Sequence, residues 1–531
     1  MTDLMSIGGN ATLTYKKALS AVSNNIANLN TEGYSLQKIK VVSDGMQPGF
    51  LERSHDVFAE ASLRSAHSSL SSEKPAVQYA GRLLNLIGSE SGALTAAFDE
   101  FFSSSHRLAT DPSSDALRQD YMSSAGFLTS RVKTVATDIQ SIILDNNSEV
   151  GQRVSELNGL SSQLALIHNQ LTKSGGHGTS PELLDKRDVV LMKMSELAKI
   201  DVSFDEIGRA TVNLHNPNTG AVLVDNRGAK ELGVVAGSSP KNAQSIVYTA
   251  NDSTLNTIVG GKLGGLVAVR STIIDPLVAN LNSMVNTFVN RANSQHKAGI
   301  NAAGAVGVSL FSVGSDGNHA ENMTLAISSS DQISAAGRLK VAQGAANTAG
   351  IGVTLSYGQD SSWNNTIESN FSVTFTGATT YNITQSGSTT GYTGFNINNG
   401  ITFGDVKIDF DKAPATSDSF AISSNAGGIG DNANIKMITG IRAEQIFSGK
   451  TLRNYYIDEV GKVANYSELT GMSSEAKQAV YDQAVRTKDQ QSGVNLDEEA
   501  AELIRLQQAF QASAKMLQTA RDIFDSIIAI R

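Results

Sequence analysis

Residues 492–525 read S-G-V-N-L-D-E-E-A-A-E-L-I-R-L-Q-Q-A-F-Q-A-S-A-K-M-L-Q-T-A-R-D-I-F-D. Within them Leu496, Leu503, Phe510, Leu517 and Phe524 recur every seven residues, with Leu506, Ala520 and Ile527 as intermediate partners, which is the spacing of a coiled-coil seam. At ~1.5 Å per residue the helix that carries this stripe makes a rod of roughly 50 Å. Its start is marked: Asn495 suits the N-cap, Glu498 can complete a variant capping box, and Asp497 and Glu499 suit the positive end of the helix dipole. A continuous Leu/Phe stripe of this length must be buried against something.

The other end of the chain offers a partner. Leu4, Ile7, Ala11, Thr14, Ala18, Ala21 and Asn25 alternate in steps of three and four, a second seam made mostly of small side chains. Small residues bury little area but let two helix axes come close. The spacing predicts that the two termini pair, antiparallel or side by side. Neither has enough apolar surface for a stable isolated hairpin, so the pair is expected to be frayed in the free monomer and ordered when neighbouring copies cover it.

The N-terminal helix ends in N-N-I-A-N-L-N-T-E-G-Y-S (24–35). Asn favours caps and turns over helix interiors, so Asn24, Asn25, Asn28 and Asn30 need support from outside the helix. Amides bonding across chains, with a polar seam residue fixing register, would supply it. Thr31-Glu32-Gly33-Tyr34 then ends the helix and turns the chain outward.

Between the termini, helical spacing covers 91–110, 113–172 and 182–199, with a break at Asp111-Pro112-Ser113 where Ser113 or Ser114 can cap. G-G-H-G at 175–178 interrupts the chain again. A further helix runs from Leu263 to His296, kinked around Pro276, and another group occupies 432–490. Strand alternation fills 201–250, with V-S-F, T-V-N-L-H, A-V-L-V and S-I-V-Y separated by turns such as N-P-N-T-G at 216–220. The Ser/Thr/Asn/Gly-rich stretch 300–430 contains F-S-V-T-F (371–375), V-K-I-D-F (406–410) and F-A-I (420–422), and reads as an antiparallel β region more than as disorder.

The fold class is therefore mainly α with inserted β domains. The terminal helices pair as a coiled coil, a long helical bundle follows, and an antiparallel β region lies in the middle of the chain. The expected domains are 1–35 with 495–531, a helical tube of 36–200 with 261–299 and 431–494, a first β region 201–260, and an outer β domain 300–430.

Composition narrows the function. The 531 residues carry a formal charge of -9 with basic residues scattered, which argues against a general nucleic-acid binder. No cysteine is present, which removes disulfides, thiolate ligands and a cysteine nucleophile. The eight prolines are fewer than half of what an average usage of about 5% would give, which favours long helices. No secretory signal opens the chain and no run of about 18 apolar residues occurs, so by the ordinary rules the protein has no membrane span and stays inside the cell.

Motifs for chemistry fail one by one. Gly449-Lys450-Thr451 lacks the earlier glycine of a phosphate loop, since position 444 is Glu. Gly427-Gly428-Ile429-Gly430-Asp431 is a single, misspaced copy of a calcium-roll repeat and reads better as a hinge. Asp405, Asp409 and Asp411 sit on alternating strand positions that usually face water. The eight histidines include no pair three or four apart. No cofactor, metal site or catalytic group is expected, and an enzyme is disfavoured.

Both terminal segments closely resemble the flagellar rod, hook and hook-associated protein family. The resemblance covers about the first 45 and last 40 residues: the Asn-rich helix with Thr-x-Gly-Tyr at one end and the 492–525 stretch at the other. The family signature commonly has Pro where Glu32 stands, which costs the turn some rigidity while Gly33 still permits it. The intact pair, the chain length, the long helical region after residue 90 and Q-H-K-A-G at 295–299 point within the family to a member at the junction of hook and filament.

The resemblance implies a structural, non-enzymatic subunit that leaves the cell through the flagellar type III export channel without a cleaved signal. That corrects the expectation of an intracellular protein. It implies a homo-oligomer around the flagellar axis, the hook protein and a second junction protein as neighbours, and a cytoplasmic export chaperone on Leu503, Phe510, Leu517 and Phe524, with no nucleic acid and no membrane. The implied assembly interface comprises Leu4, Ile7, Ala11, Ala18, Asn25, Asn28, Thr31, Gly33 and Tyr34 with Leu496, Leu503, Phe510, Leu517 and Phe524. A hook or rod subunit would share these termini without the long helical region, and the Ser/Thr/Asn-rich β domain taken alone suggests a surface adhesin.

Overall fold

The computed structural model describes residues 2–40, 50–88, 94–174, 180–215, 221–239, 241–249, 253–255, 258–348, 350–357, 370–404, 406–425 and 427–529, with the side chains of 2–4 and 527–529 outside the description. The breaks expected at 175–178 and 216–220, and Asp405, fall outside the described residues. In chain order the helices are α1 (Thr2–Ala27), α2 (Val57–Ile87), α3 (Leu94–Thr110), α4 (Asp115–Ser174) and α5 (Pro181–Leu197). They continue with α6 (Gly261–Val269), α7 (Asp275–Ala298), α8 (Ala433–Gly440), α9 (Leu452–Ser492) and α10 (Leu496–Ala529). None of them is long and apolar enough to cross a membrane.

The chain divides into two compact units, Met1–Arg82 with Ser141–Ile274 and Ala464–Arg531, and Leu83–Gln140 with Asp275–Val463. In the first, α1 pairs with α10, and an antiparallel hairpin of β1 (Gln37–Lys40) and β2 (Phe50–Arg53) follows α1, with Gln37 opposite Arg53 and Lys40 opposite Phe50. Leu63 and Ala66 of α2 are buried with Ala484 of α9, and Met192 of α5 packs on them. The expected strands of 201–250 form a four-stranded meander that starts Ile200–Phe204 and Ala210–Leu214, then a three-stranded sheet that starts Leu232–Val235 and Ser245–Tyr248.

The kink expected at Pro276 is a π-helical turn, Arg270–Ile274, between α6 and α7. Proline has no N–H to donate and its ring crowds the carbonyl four residues back, and a wider turn relieves both. Arg270, buried on this turn, donates to Asn147 Oδ1 at 2.8 Å and to the Lys241 carbonyl. At the start of α4, Ser114 is the capping residue, accepting from the Leu117 N–H at 3.4 Å.

The second unit holds an aromatic core in which Phe98, Phe101, Phe102, Tyr121, Phe288 and Phe311 meet at ring separations of 5.0–6.2 Å, several edge to face. The paired strands between 299 and 337 are two residues long, and longer strands begin at Leu339. A five-stranded antiparallel sheet (strand starts Leu339, Ser419, Phe371, Thr380 and Ser388, in spatial order) and a three-stranded one share a single buried core. Phe375, Phe410 and Phe420 stand at its centre. The alternation F-S-V-T-F does what a period of two dictates: Phe371, Val373 and Phe375 are buried while Ser372 and Thr374 face outward.

The helical tube expected over 36–200 contains α2, which the periodicity did not delimit and in which Pro75 is accommodated mid-helix, but also the β1–β2 hairpin, which lies outside that expectation. Their residues carry no unbroken apolar period, because their burial comes from partners distant in sequence.

Candidate assembly site at the chain termini

Two fixed points set how α1 and α10 meet. A Cβ added to Gly8 would stand 3.2 Å from Leu517 Cδ1, and the Asn25 amide donates to Glu499 Oε2 at 2.8 Å. Residue numbers rise along one helix as they fall along the other, so the pair is antiparallel. Between these points Ala18, Val22 and Leu506 are buried together, with Tyr15, Leu19, Ile26 and Leu503 packed against them. At Gly8 the two helices approach closely, and a Cβ there would require the Leu517 side chain to give by a few tenths of an ångström.

The seven-residue stripe and the buried seam are not the same set. Leu503, Phe510 and Leu517 are half-buried, whereas Leu496 and Phe524 at the two ends of the stripe are 49% and 41% exposed. Buried in the seam instead are Glu499, Leu506 and Ser513. On α1, Ala18 and Asn25 are buried, Ala11 and Asn28 are half-buried, and Ile7 is exposed; the side chain of Leu4 lies outside the described residues. Asn495 caps α10, its Oδ1 accepting from the Asp497 N–H at 3.0 Å. The return bond expected from Glu498 is not formed among the described residues, and the role of a first-turn carboxylate passes to Glu499.

Asn25 is the hub of the site. Its Nδ2 donates to Glu499 and to the Gln37 carbonyl (3.0 Å), and its Oδ1 accepts from the Tyr34 hydroxyl (2.8 Å) and the Gln37 N–H (3.1 Å). Two donors and two acceptor sites are all that an amide has, so Asn25 is fully used within its own chain. The expectation that this amide bonds across chains is corrected accordingly: Asn25 fixes register between α1, the hairpin and α10 of one molecule. Asn28 donates to the Asn24 carbonyl at 2.9 Å and its Oδ1 accepts from Thr31, which rounds off the helix end.

Gly33 then takes a φ of +77°, and a Cβ there would lie 2.1 Å from Val189 Cγ2 of α5, so both the turn and the close approach require glycine. The turn delivers Tyr34 to a place where burial, with Asp185 and Glu499 nearby, pushes its phenol up to about 12. Tyr34 is thus a permanent donor to Asn25 at any physiological pH.

Behind the hub the hairpin is anchored by Arg53, whose side chain is 4% exposed. It donates to Asp185 (3.0 Å), Asp188 (2.5 Å) and Glu60 (3.3 Å). Burial alone would lower its pKa, and the three carboxylates, led by Asp188, outweigh that and raise it. Burial pushes Asp185 up, with Arg53 opposing. His55, Glu60 and Asp188 are close enough to hold a metal ion. Arg53 Nη2 stands among them, 2.8 Å from His55 Nδ1, so a guanidinium is the cation they share. The hairpin is also tied to the end of α9, where the Leu36 N–H donates to the Ser492 carbonyl at 2.9 Å and Ser54 Oγ to that of Gln491 at 2.7 Å.

Among the described residues, the carboxylates considered as metal ligands are engaged elsewhere. Asp409 pairs with Lys407 at 2.8 Å, Asp411 accepts from the Gly352 N–H at 2.6 Å, and Asp431 accepts from the N–H groups of Gly337 and Ala433. The Q-H-K-A-G stretch proves to be a packing device. Gln295 donates to Asn434 Oδ1 at 2.9 Å, and the fully buried His296 joins the Val308 carbonyl to the Ser334 N–H. Burial brings His296 down to about 4. What sequence reasoning missed, Glu499 as partner of Asn25 and the Arg53 cluster, left one faint signal: charged residues interrupting otherwise apolar or small stretches.

These termini define the class. Residues 5–34 match the family model for flagella basal body rod proteins, and residues 489–530 match the C-terminal model of the flagellar basal body rod proteins FlgE, FlgF and FlgG. The protein is an axial protein of the bacterial flagellum.

Residues 80–311 match the model of the helical domain of the flagellar hook-associated protein FlgK. The chain is 25% identical to flagellar hook-associated protein 1 of Escherichia coli (strain K12), over 97% of both chains. It is 21% identical to its namesake in Bacillus subtilis (strain 168), over 96% of this chain and 94% of that one. The flagellar hook junction protein FlgK of Burkholderia pseudomallei shares the fold, with a TM-score of 0.67 over 81% of this chain and 99% of that one at 20% identity. Over nearly its whole length the chain is thus similar to flagellar hook-associated protein 1.

Proposed function

We propose that the chain is a structural subunit of the bacterial flagellum that forms the junction between hook and filament, outside the cell. The observation that carries this reading is the likeness to hook-associated protein 1 along 97% of the chain, termini and helical region together. The terminal models are shared with rod proteins, whereas the model matched by 80–311 is specific to the hook-associated protein. That favours a junction subunit over a hook or rod subunit.

In this reading 1–35 and 495–531 form the axial core, the helices of 36–200, 261–299 and 431–494 form the surrounding tube, and 300–430 lies outermost. Copies meet laterally through Ile7, Ala11 and the exposed surfaces of α1 and α10, with hook protein on one side and a second junction protein on the other. Before export, a chaperone takes the Leu503, Phe510, Leu517 and Phe524 stripe as a helix in a groove. The subunit has no catalytic task. Deleting the gene tests the proposal: cells should make hooks without filaments and release filament protein into the medium, and the gene supplied in trans should reverse both. Filaments of normal number and attachment in the deletion strain would overturn it.

A further inference from the structure

The β region that begins at Leu339 is open along one seam. Its five-stranded sheet ends on the Leu339–Gln343 strand and its three-stranded sheet on the Val353–Tyr357 strand, and among the described residues each has a neighbouring strand on one side only. An edge strand leaves every second N–H and C=O without a ladder partner. Both edges line one cleft of about 590 Å³, together with residues 431–437 at the start of α8. The side chains are incomplete in the same way as the backbone. Val341, Val353 and Leu355 pack on the core around Phe375 and yet stay half-buried, whereas Val373, Val406 and Ile408 of the same two sheets are fully covered.

The charge left over in this cleft is positive. Lys340 and Lys436 line it, both are exposed, and neither forms an ion pair among the described residues. The carboxylate on the lining, Asp431, is taken up by the N–H groups of Gly337 (2.8 Å) and Ala433 (3.1 Å) and by Asn425 Nδ2 (3.1 Å). Asp409, one strand in from Thr354, pairs with Lys407 at 2.8 Å. The lining amides are likewise spent inside the protein: Gln295 donates to Asn434, Asn434 to the Ser334 carbonyl, and Asn425 to the Gly337 carbonyl. Strand backbone, half-buried apolar side chains and two lysines therefore remain to select a ligand.

We infer that the cleft binds an extended segment of another protein, in which apolar and acidic residues alternate, as a strand laid between the Leu339–Gln343 and Val353–Tyr357 edges. Main-chain hydrogen bonds to the edges hold it, its apolar side chains cover Val341, Val353 and Leu355, and its acidic ones face Lys340 and Lys436. A helix does not fit this description, because its own N–H and C=O groups are bonded internally and offer an edge nothing. The added strand joins the five strands and the three into one continuous sheet and closes the core. The cleft lies wholly within the second unit, so this peptide site stands or falls separately from the junction role.

The probe is a blocked, dye-labelled hexapeptide of alternating valine and glutamate, titrated into the full-length protein and followed by fluorescence anisotropy. Binding should saturate, and the corresponding peptide of valine and lysine should bind about tenfold more weakly or worse. Bound peptide should slow amide exchange several-fold along the Leu339–Gln343 and Val353–Tyr357 strands and leave the opposite edge of the five-stranded sheet, the exposed Ser388–Thr393 strand, unchanged. Lys340→Glu combined with Lys436→Glu, both on the surface, should reverse the preference between the two peptides. No saturable binding of the valine–glutamate peptide by the unsubstituted protein would overturn the inference. So would binding that leaves the two cleft strands unprotected or protects the Ser388–Thr393 edge equally, and so would a charge-reversed variant with an unaltered preference.

Discussion

At the residue scale, Asn25 shows how a poor helix former becomes indispensable. Its amide satisfies the Gln37 backbone in both directions and holds the buried carboxylate of Glu499. Asn25→Ala leaves those groups unpaired in the interior, at a cost of about 2–4 kcal/mol. Amide exchange should quicken by two orders of magnitude or more at the Gln37 N–H, while the β core around Phe375 is unaffected. His296 makes the second case. Its folded pKa of about 4 lies below the ordinary 6.5, so the unfolded chain takes up the proton first as pH falls. The stability it contributes is complete above pH 6.5 and is lost between 6.5 and 4, by about 3 kcal/mol in all. Thermal unfolding of the second unit followed against pH should show that slope, and His296→Gln should flatten it. Of these two roles, the sequence showed only that Asn25 and His296 stood in unusual company. Which atoms they bond depends on segments 12 to 474 residues away.

At the element scale, the terminal helices were legible because a seven-residue apolar period has few other solutions. The structure refined which residues form the seam: Leu506 is at its centre, whereas Leu496 and Phe524 are left on the outside. Leu517, lying over Gly8, and Phe510 are the positions where charge should do most harm. Leu517→Asp or Phe510→Asp should abolish assembly and chaperone capture while the middle of the chain keeps its circular dichroism and its unfolding transition. Attached filaments of normal number from either variant would contradict the role given to this stripe. The hairpin β1–β2 was not legible. Its strands are four residues each, and the Arg53 that anchors it finds Asp185 and Asp188 only through the tertiary fold.

At the scale of the whole molecule, burial is unevenly shared. The α1–α10 pair buries Ala18, Val22 and Leu506 as its apolar core, while the β region that begins at Leu339 buries thirteen apolar side chains, five of them phenylalanine. A buried Val or Leu contributes about 1.5–3 kcal/mol, whereas ordering each residue costs about 1–2 kcal/mol of backbone entropy. The pair is therefore expected to be completed by its neighbours. Amide exchange on the free monomer should be fast from the Leu517 end and slow toward Asn25, and fast throughout only when Asn25 is lost. Uniformly slow exchange along both termini would show that the pair is stable by itself.

The sequence by itself determined the nested order of elements, the pairing of the termini and the absence of recognisable catalytic motifs, because apolar period, turn residues and composition are local quantities. The tertiary structure alone decided that α1 and α10 run antiparallel, that Asn25 spends its four hydrogen bonds within one chain, and that Arg53 stands where a metal ion could. Those depend on which distant groups meet in a low-dielectric interior, where an unpaired polar atom is costly and each must find its partner. The Asn-rich end of the first helix is weak as a local structure and specific as a tertiary one.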